Sequence, residues 1–266
     1  VILGFLDMAM LAIATGLLSG LLGIGGNVLA IPGLLYIFKL AFKFPPDVAM
    51  HLTIGTCITV MVFTALASTL AHYNKNNISW SFYRRIAPFM IIGAVLGAIS
   101  ASKVNGVILE KIFGLFLLII SLQLFRSNNN LQSSTSVKQL PLAVSIMLGG
   151  LIGFKSGLLG IGGGTILIPL LLYLNYPARL VTGTTSVCSF TMAIVGALTF
   201  LLHGSSYNLG IPYSLGFIYL PALAVMVPFT FISAKIGASW SMQVSHTQLS
   251  KFLIFILLVL GLQMLF

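Results

Sequence analysis

One 21-residue stretch occurs twice in this sequence, and that duplication constrains the fold more than any other feature. Residues 16–36 read GLLSGLLGIGGNVLAIPGLLY, and residues 153–173, 137 positions later, read GFKSGLLGIGGGTILIPLLLY, with 14 identities in 21. A period near half the chain is too long for a stacked solenoid and reads as a duplicated domain. In each copy a knot of glycines interrupts an apolar run, which resumes through Pro32 or Pro169. Consecutive glycines destabilise a continuous helix, so each copy predicts a broken one. In hydrocarbon, the backbone groups bared by such a break must be buried in protein or line a watery cavity. Carriers build their substrate sites this way.

Composition fixes the solvent. The chain is 58% hydrophobic and 6% charged, whereas a soluble domain carries about 25% charged residues. It would have no polar coat, so it is expected to span a membrane several times. Apolar runs over residues 49–71, 86–102 and 107–125 follow the first knot. Runs over 180–202, 213–234 and 249–266 follow the second; about 20 residues cross a bilayer. The Ser/Asn-rich segment 126–139 divides the chain into an N-terminal repeat, 1–125, and a C-terminal repeat, 140–266. The likeness extends beyond the knots. Gly55-Thr56 matches Gly183-Thr184, His72 and His203 each close a span, and Pro88 and Pro221 each stand near the start of the next.

The expected fold is an all-α polytopic membrane protein of two inverted-topology repeats, each a glycine-broken helix pair plus three transmembrane helices. The broken pair either crosses twice or enters and returns, so each half ends on the side opposite to its start. Basic residues agree with that arrangement. Lys75, Arg84, Arg85, Arg126, Lys138, Arg179, Lys235 and Lys251 fall on one side, against Lys39, Lys43, Lys103 and Lys111 on the other. Cytoplasmic loops carry such an excess. The net charge of +10, with three acidic residues, either orients the helices in this way or also attracts anions. Cys57 and Cys188 both fall in apolar runs and read as free buried thiols.

The helix that resumes after each knot starts near Asn27 or Thr165 (or Gly164), where an N-cap belongs. A helix start presents free N–H groups and a partial positive charge, which favour a bound anion. The candidate binding residues are therefore Ser19, Gly23, Gly25, Gly26 and Asn27 in one half, with Ser156, Gly160, Gly162, Gly163, Gly164 and Thr165 in the other. Thr56 and the hydroxyl run Thr182, Thr184, Thr185 and Ser186 can donate to an anion without burying a charge, or can simply back-bond within their helices. Gly20, Pro32, Gly157 and Pro169 are candidate hinges, although glycines four apart also serve helix packing. Lys155 stands within an apolar run where the first copy has Leu18. It is either a counter-ion or coupling switch, or a lysine snorkelling to the interface. His72 and His203 are candidate proton relays or interfacial anchors. The glycines lack the Lys-Ser/Thr of a phosphate loop, no Cys/His cluster suggests a metal, and GxxSG is one residue longer than an intramembrane serine protease needs. The expected partners are a small anion, a coupling proton and the lipid bilayer, with no cofactor, metal or nucleic acid.

The doubled G-x-x-x-G-x-x-G-x-G-G-[GN], followed by Pro32 or Pro169 and by Gly-Thr in the next span, resembles the sulfite exporter TauE/SafE family of membrane permeases. The resemblance covers essentially the whole chain. It implies secondary transport of sulfite, sulfonates or related organic acids, and maps the family motif onto Gly20, Gly23, Gly25, Gly26 and Pro32 and onto Gly157, Gly160, Gly162, Gly163, Gly164 and Pro169. Asn27 departs from the third glycine of the motif, and Lys155 is charged where its partner is apolar. The expected function is an anion exporter working by alternating access between the two knots; the alternative is a passive anion channel with a glycine filter.

Overall fold

Each half begins with a long helix that stops at its glycine knot. The computed structural model describes residues 2–22, 26–126, 140–205, 210–240 and 246–265. Gly23 and Gly25 of the first knot lie outside the described residues, as do Lys138 and nearly all of the segment between the halves. The first half comprises α1 (Ile2–Leu22), α2 (Asn27–Leu40), α3 (Pro46–Tyr73), α4 (Trp80–Lys103) and α5 (Gly106–Arg126). The second comprises α6 (Leu142–Leu159), α7 (Gly164–Tyr173), α8 (Ala178–Ser205), the strands β1 (Ser214–Leu215) and β2 (Ile218–Tyr219), α9 (Leu220–Trp240) and α10 (His246–Leu265).

Seven of these helices, α1, α3, α4, α5, α6, α8 and α9, are long and apolar enough to cross a membrane. The chain is an all-helical polytopic membrane protein. The helices that resume after the knots are shorter, 14 residues in α2 and 10 in α7. At about 1.5 Å per residue, neither reaches across a hydrocarbon core of about 30 Å. Local chemistry sets the other ends. Pro46 opens α3 at its first position with Asp47 in the first turn, both favourable at a helix start. Lys39 in the last turn of α2 donates to both carboxylate oxygens of Glu110 on α5, at 2.7 and 2.6 Å.

Helices pair across the halves more than within them. α6 lies along α4, α1 along α9, α3 along α8 and α5 along α10. A methyl group on Gly153 or Gly157 of α6 would collide with the carbonyl of Met90 or Ala94, and one on Gly97 of α4 with that of Phe154. The α1–α9 pair repeats this contact: Gly16 abuts the Thr230 carbonyl and Gly237 abuts that of Leu17. Small residues let helix backbones approach where lipid offers no hydrophobic drive. These contacts align Gly97 with Gly237, and therefore Pro88 with Pro228. Both prolines are interior to their helices, whereas Pro221, the partner expected from sequence, opens α9.

Residues 213–219, expected to begin a span, instead form a small hairpin. Tyr213 and Gly216 take positive φ (62° and 57°), and Ser214 pairs with Tyr219. The hairpin leans on the first half: Phe217 stacks on His51 at 5.1 Å, and Tyr219 packs edge-on against Phe38, Phe42 and Phe44.

Candidate functional site

The second break is built entirely of described residues. Gly160 ends α6 in the left-handed conformation (φ 68°), its N–H donating to the Ser156 carbonyl at 2.8 Å. This is the usual glycine stop for a helix. Gly162 is also left-handed at φ 77°. α7 then starts at Gly164 with Gly163 in the capping position and no side-chain cap bond. Thr165 is thus inside the helix rather than its cap, and its hydroxyl is put to another use. The Lys155 ammonium donates to the Gly162 carbonyl at 2.7 Å and to Thr165 Oγ1 at 2.8 Å, and stands 5.2 Å from the centre of the Phe116 ring. It turns into the break instead of snorkelling away from it. Lys39–Glu110 is the ion pair among the described residues, and no carboxylate there balances Lys155.

The first break differs at one residue. Gly26, not Asn27, occupies the capping position of α2, again without a side-chain cap bond. Asn27 is 5% exposed, and its amide nitrogen donates to the Gly160 carbonyl at 2.7 Å and to the Cys57 carbonyl at 3.0 Å. A cap needs a side-chain acceptor, whereas here the donor end is consumed in joining one break to the other. Around Gly26 and Asn27 lies a narrow cleft whose polar lining is Thr15 and Ser19 of α1, Thr64 of α3 and Thr230 of α9. Three of those hydroxyls, on Thr15, Thr64 and Thr230, escape a sequence reading. Thr15 and Thr230 are the lone threonines of apolar helices and Thr64 is one of several in α3, and only the packing of α1, α3 and α9 brings them together.

The other hydroxyls lie elsewhere. Thr56 Oγ1 accepts the Tyr219 N–H at 3.0 Å, and Gly55 abuts the Phe217 carbonyl. In the other half, Thr184 Oγ1 accepts the Ser79 N–H at 2.9 Å and Gly183 abuts the Asn77 carbonyl. Each Gly-Thr pair therefore seats a loop from the opposite half. Thr182 donates to the Arg179 carbonyl, Thr185 to that of Val181, and Ser186 to that of Thr182, while Ser186 also meets Ser68 at 2.8 Å. On α8 it is Ser189, near Gly162, that approaches the second break. Pro32 is buried inside α2 and Pro169 lies inside α7. Gly20 is half-buried near the end of α1.

Ser156 is fully buried with no hydrogen-bond partner for its hydroxyl, and His72 and His203 each bury an Nδ1 that has none. His51 bridges from α3 to the Ala101 and Val104 carbonyls at the end of α4, at 3.0 and 2.9 Å. Cys57 and Cys188 are free and buried. Among the described residues, no three of His, Cys, Asp and Glu gather as a metal site would require.

Known proteins are similar to this chain along nearly its whole length. A probable membrane transporter protein of Haemophilus influenzae is 29% identical over 94% of this chain and 93% of its own. The probable membrane transporter protein MJ0441 of Methanocaldococcus jannaschii is 31% identical over 94% and 91%. The probable membrane transporter protein YunE of Bacillus subtilis is 24% identical over 99% and 98%. No solved structure matches the chain. Residues 8–264 match the family described as Sulfite exporter TauE/SafE. With two glycine breaks joined inside a bundle of membrane-length helices, this chain belongs to the sulfite exporter TauE/SafE family of membrane transporters.

Proposed function

We propose that the protein exports a small anion, namely sulfite, an organosulfonate or a related organic acid, across a bacterial cytoplasmic membrane. It does so by alternating access around a site where the two breaks meet. The observation that carries this proposal is Lys155, a lysine of α6 whose side-chain nitrogen lies at the start of α7 and which no described carboxylate balances. A charge inside a membrane span is costly and marks a substrate or ion path. Here the amine adds to the positive end of α7, and α2 starts nearby, held to the same break by the Asn27–Gly160 bond. An anion supplies the missing counter-charge. Ser19, Gly26, Asn27, Thr165 and the glycines of the second break are the groups nearest to it.

Two inverted repeats supply the moving parts, residues 1–125 and 140–266. In support, each half's first helix packs along the fourth helix of the other, and each Gly-Thr pair seats the other half's loop. Rocking one half against the other strains the Asn27–Gly160 bond, which makes that bond a latch between the two access states. A coupling proton has candidate carriers in His72 and His203, whose buried Nδ1 atoms are uncommitted.

The test is purified protein in liposomes, with uptake of radiolabelled sulfite in counterflow and thermal-shift titrations of sulfite, sulfate, thiosulfate, sulfoacetate and acetate. Saturable counterflow is expected, and Lys155→Met should weaken anion binding about tenfold or more, the scale of one lost charge-assisted bond. Linear, non-saturating conductance would mark a channel instead. Unchanged anion binding in Lys155→Met would remove the lysine from the site.

A further inference from the structure

His51 is a buried imidazole that meets acceptors at both ring nitrogens. It lies on α3, one turn in from the exposed Asp47. Its Nδ1 stands 3.0 Å from the Asp47 carbonyl, and its Nε2 stands 3.0 and 2.9 Å from the carbonyls of Ala101 and Val104. A carbonyl oxygen can only accept, so both nitrogens need a hydrogen to satisfy these partners. A neutral imidazole carries one N–H and presents a lone pair at its other nitrogen. The protonated ring alone completes the set.

The same ring holds a piece of the second half. Phe217 of the hairpin lies against it, with ring centres 5.1 Å apart and planes 27° apart, and an imidazolium gains from an aromatic face as other cations do. Through Nε2 it reaches the turn between α4 and α5, where Val104 is extended and its carbonyl lies outside both helices. One side chain thus joins the start of α3, the α4–α5 turn and the hairpin. Without the Nε2 hydrogen, the turn carbonyls face a lone pair. Without the Nδ1 hydrogen, the ring is repelled by the Asp47 carbonyl and turns, taking its face off Phe217.

We propose that His51 is a proton-binding site that fastens the hairpin: with two N–H groups it holds residues 213–219 against α3, and with one it lets them lift. The hairpin covers one end of the α3–α8 pair, where the Phe217 N–H donates to the Phe200 carbonyl at 3.3 Å and the Tyr219 N–H to Thr56 Oγ1 at 3.0 Å. The proton therefore governs access to that end of the bundle, whatever the bundle carries. Other titratable groups on the surrounding elements are committed or turned elsewhere. Asp47 accepts the Asn105 amide at 3.0 Å, and Glu110 of α5 is held by Lys39 of α2. Lys43 before α3, Lys103 at the end of α4 and Lys111 of α5 are exposed, and α9 carries Lys235 near its far end. Tyr213 and Tyr219 belong to the hairpin itself, and His203 near the end of α8 buries an Nδ1 without a partner.

Hydrogen–deuterium exchange of the purified protein in detergent, with no anion added, tests this site apart from transport. Protection of residues 213–219, corrected for intrinsic exchange, is compared at about pH 5.5 and about pH 8, the span over which imidazoles titrate. In the parent it should fall about threefold or more at the higher pH, the scale of one hydrogen bond, and residues 103–107 should loosen with it. His51→Gln carries amide N–H donors at any pH, so its hairpin should exchange alike at both. Protection that does not change with pH in the parent overturns the proposal without any variant. A parent-like response in folded His51→Gln also overturns it and assigns the titration to another group, with His203 the candidate. Neither result bears on whether the protein moves an anion, and a failed counterflow assay leaves this site standing.

Discussion

Gly160 and Gly162 adopt φ of 68° and 77°, and the rest of the second break is arranged around those two turns. A side chain in that conformation costs about 1–2 kcal/mol, and at Gly160 a methyl group would also press on Ile54. Gly160→Ala and Gly162→Ala should each destabilise the protein by roughly that much, read as a lower thermal midpoint in detergent. Asn27 tests the joint between the breaks. Asn27→Leu leaves the Gly160 carbonyl without this donor, at a cost of about 1–3 kcal/mol for a buried acceptor. Its thermal midpoint should fall accordingly, and a variant as stable as the parent would show that the bond holds nothing together. The glycines and Lys155 were legible in sequence because a repeated knot and a lysine in an apolar run are anomalies on their own terms. The job of Asn27 was not. As the first residue of α2 it read as a cap, and its actual acceptor is 133 positions away.

Gly55-Thr56 and Gly183-Thr184 act at the level of elements, as seats for loops. The glycine admits a loop carbonyl, and the threonine hydroxyl accepts an N–H two residues further along that loop. Thr56→Val and Thr184→Val should each lower stability by about 1 kcal/mol, the net value of one such bond. Anion affinity should stay near that of the parent in both; a selective loss of affinity in either would return that hydroxyl to the substrate site. The sequence showed these pairs to be equivalent but pointed toward the anion, because a hydroxyl run in an apolar helix has no visible partner until the loops are in place. The hairpin at 214–219 was hidden for a related reason. Its strands are two residues each and apolar, so they merged with the span that follows.

At the scale of the whole molecule, the exchange of helices means that neither half can bury its own faces. The glycine-lined side of α6 is matched by α4, and that of α1 by α9. Residues 1–125 and 140–266 expressed separately should therefore be recovered in aggregates or degraded. Co-expressed, they should assemble and restore sulfite counterflow, since the helix pairs that join them lie within the two pieces. Orientation is the remaining property of the pair. Lys43, in the turn between α2 and α3, and Arg179, in the first turn of α8, are both exposed. They occupy matching places in the two halves, so inverted repeats put them on opposite sides of the membrane and parallel repeats put them on the same side. In a background with Cys57 and Cys188 replaced by alanine, a membrane-impermeant maleimide added to intact cells should label Lys43→Cys. It should reach Arg179→Cys only after the cells are opened, which places the larger cluster of basic residues in the cytoplasm. Labelling of both from the outside would rule out the inversion, and with it alternating access by rocking of mirrored halves.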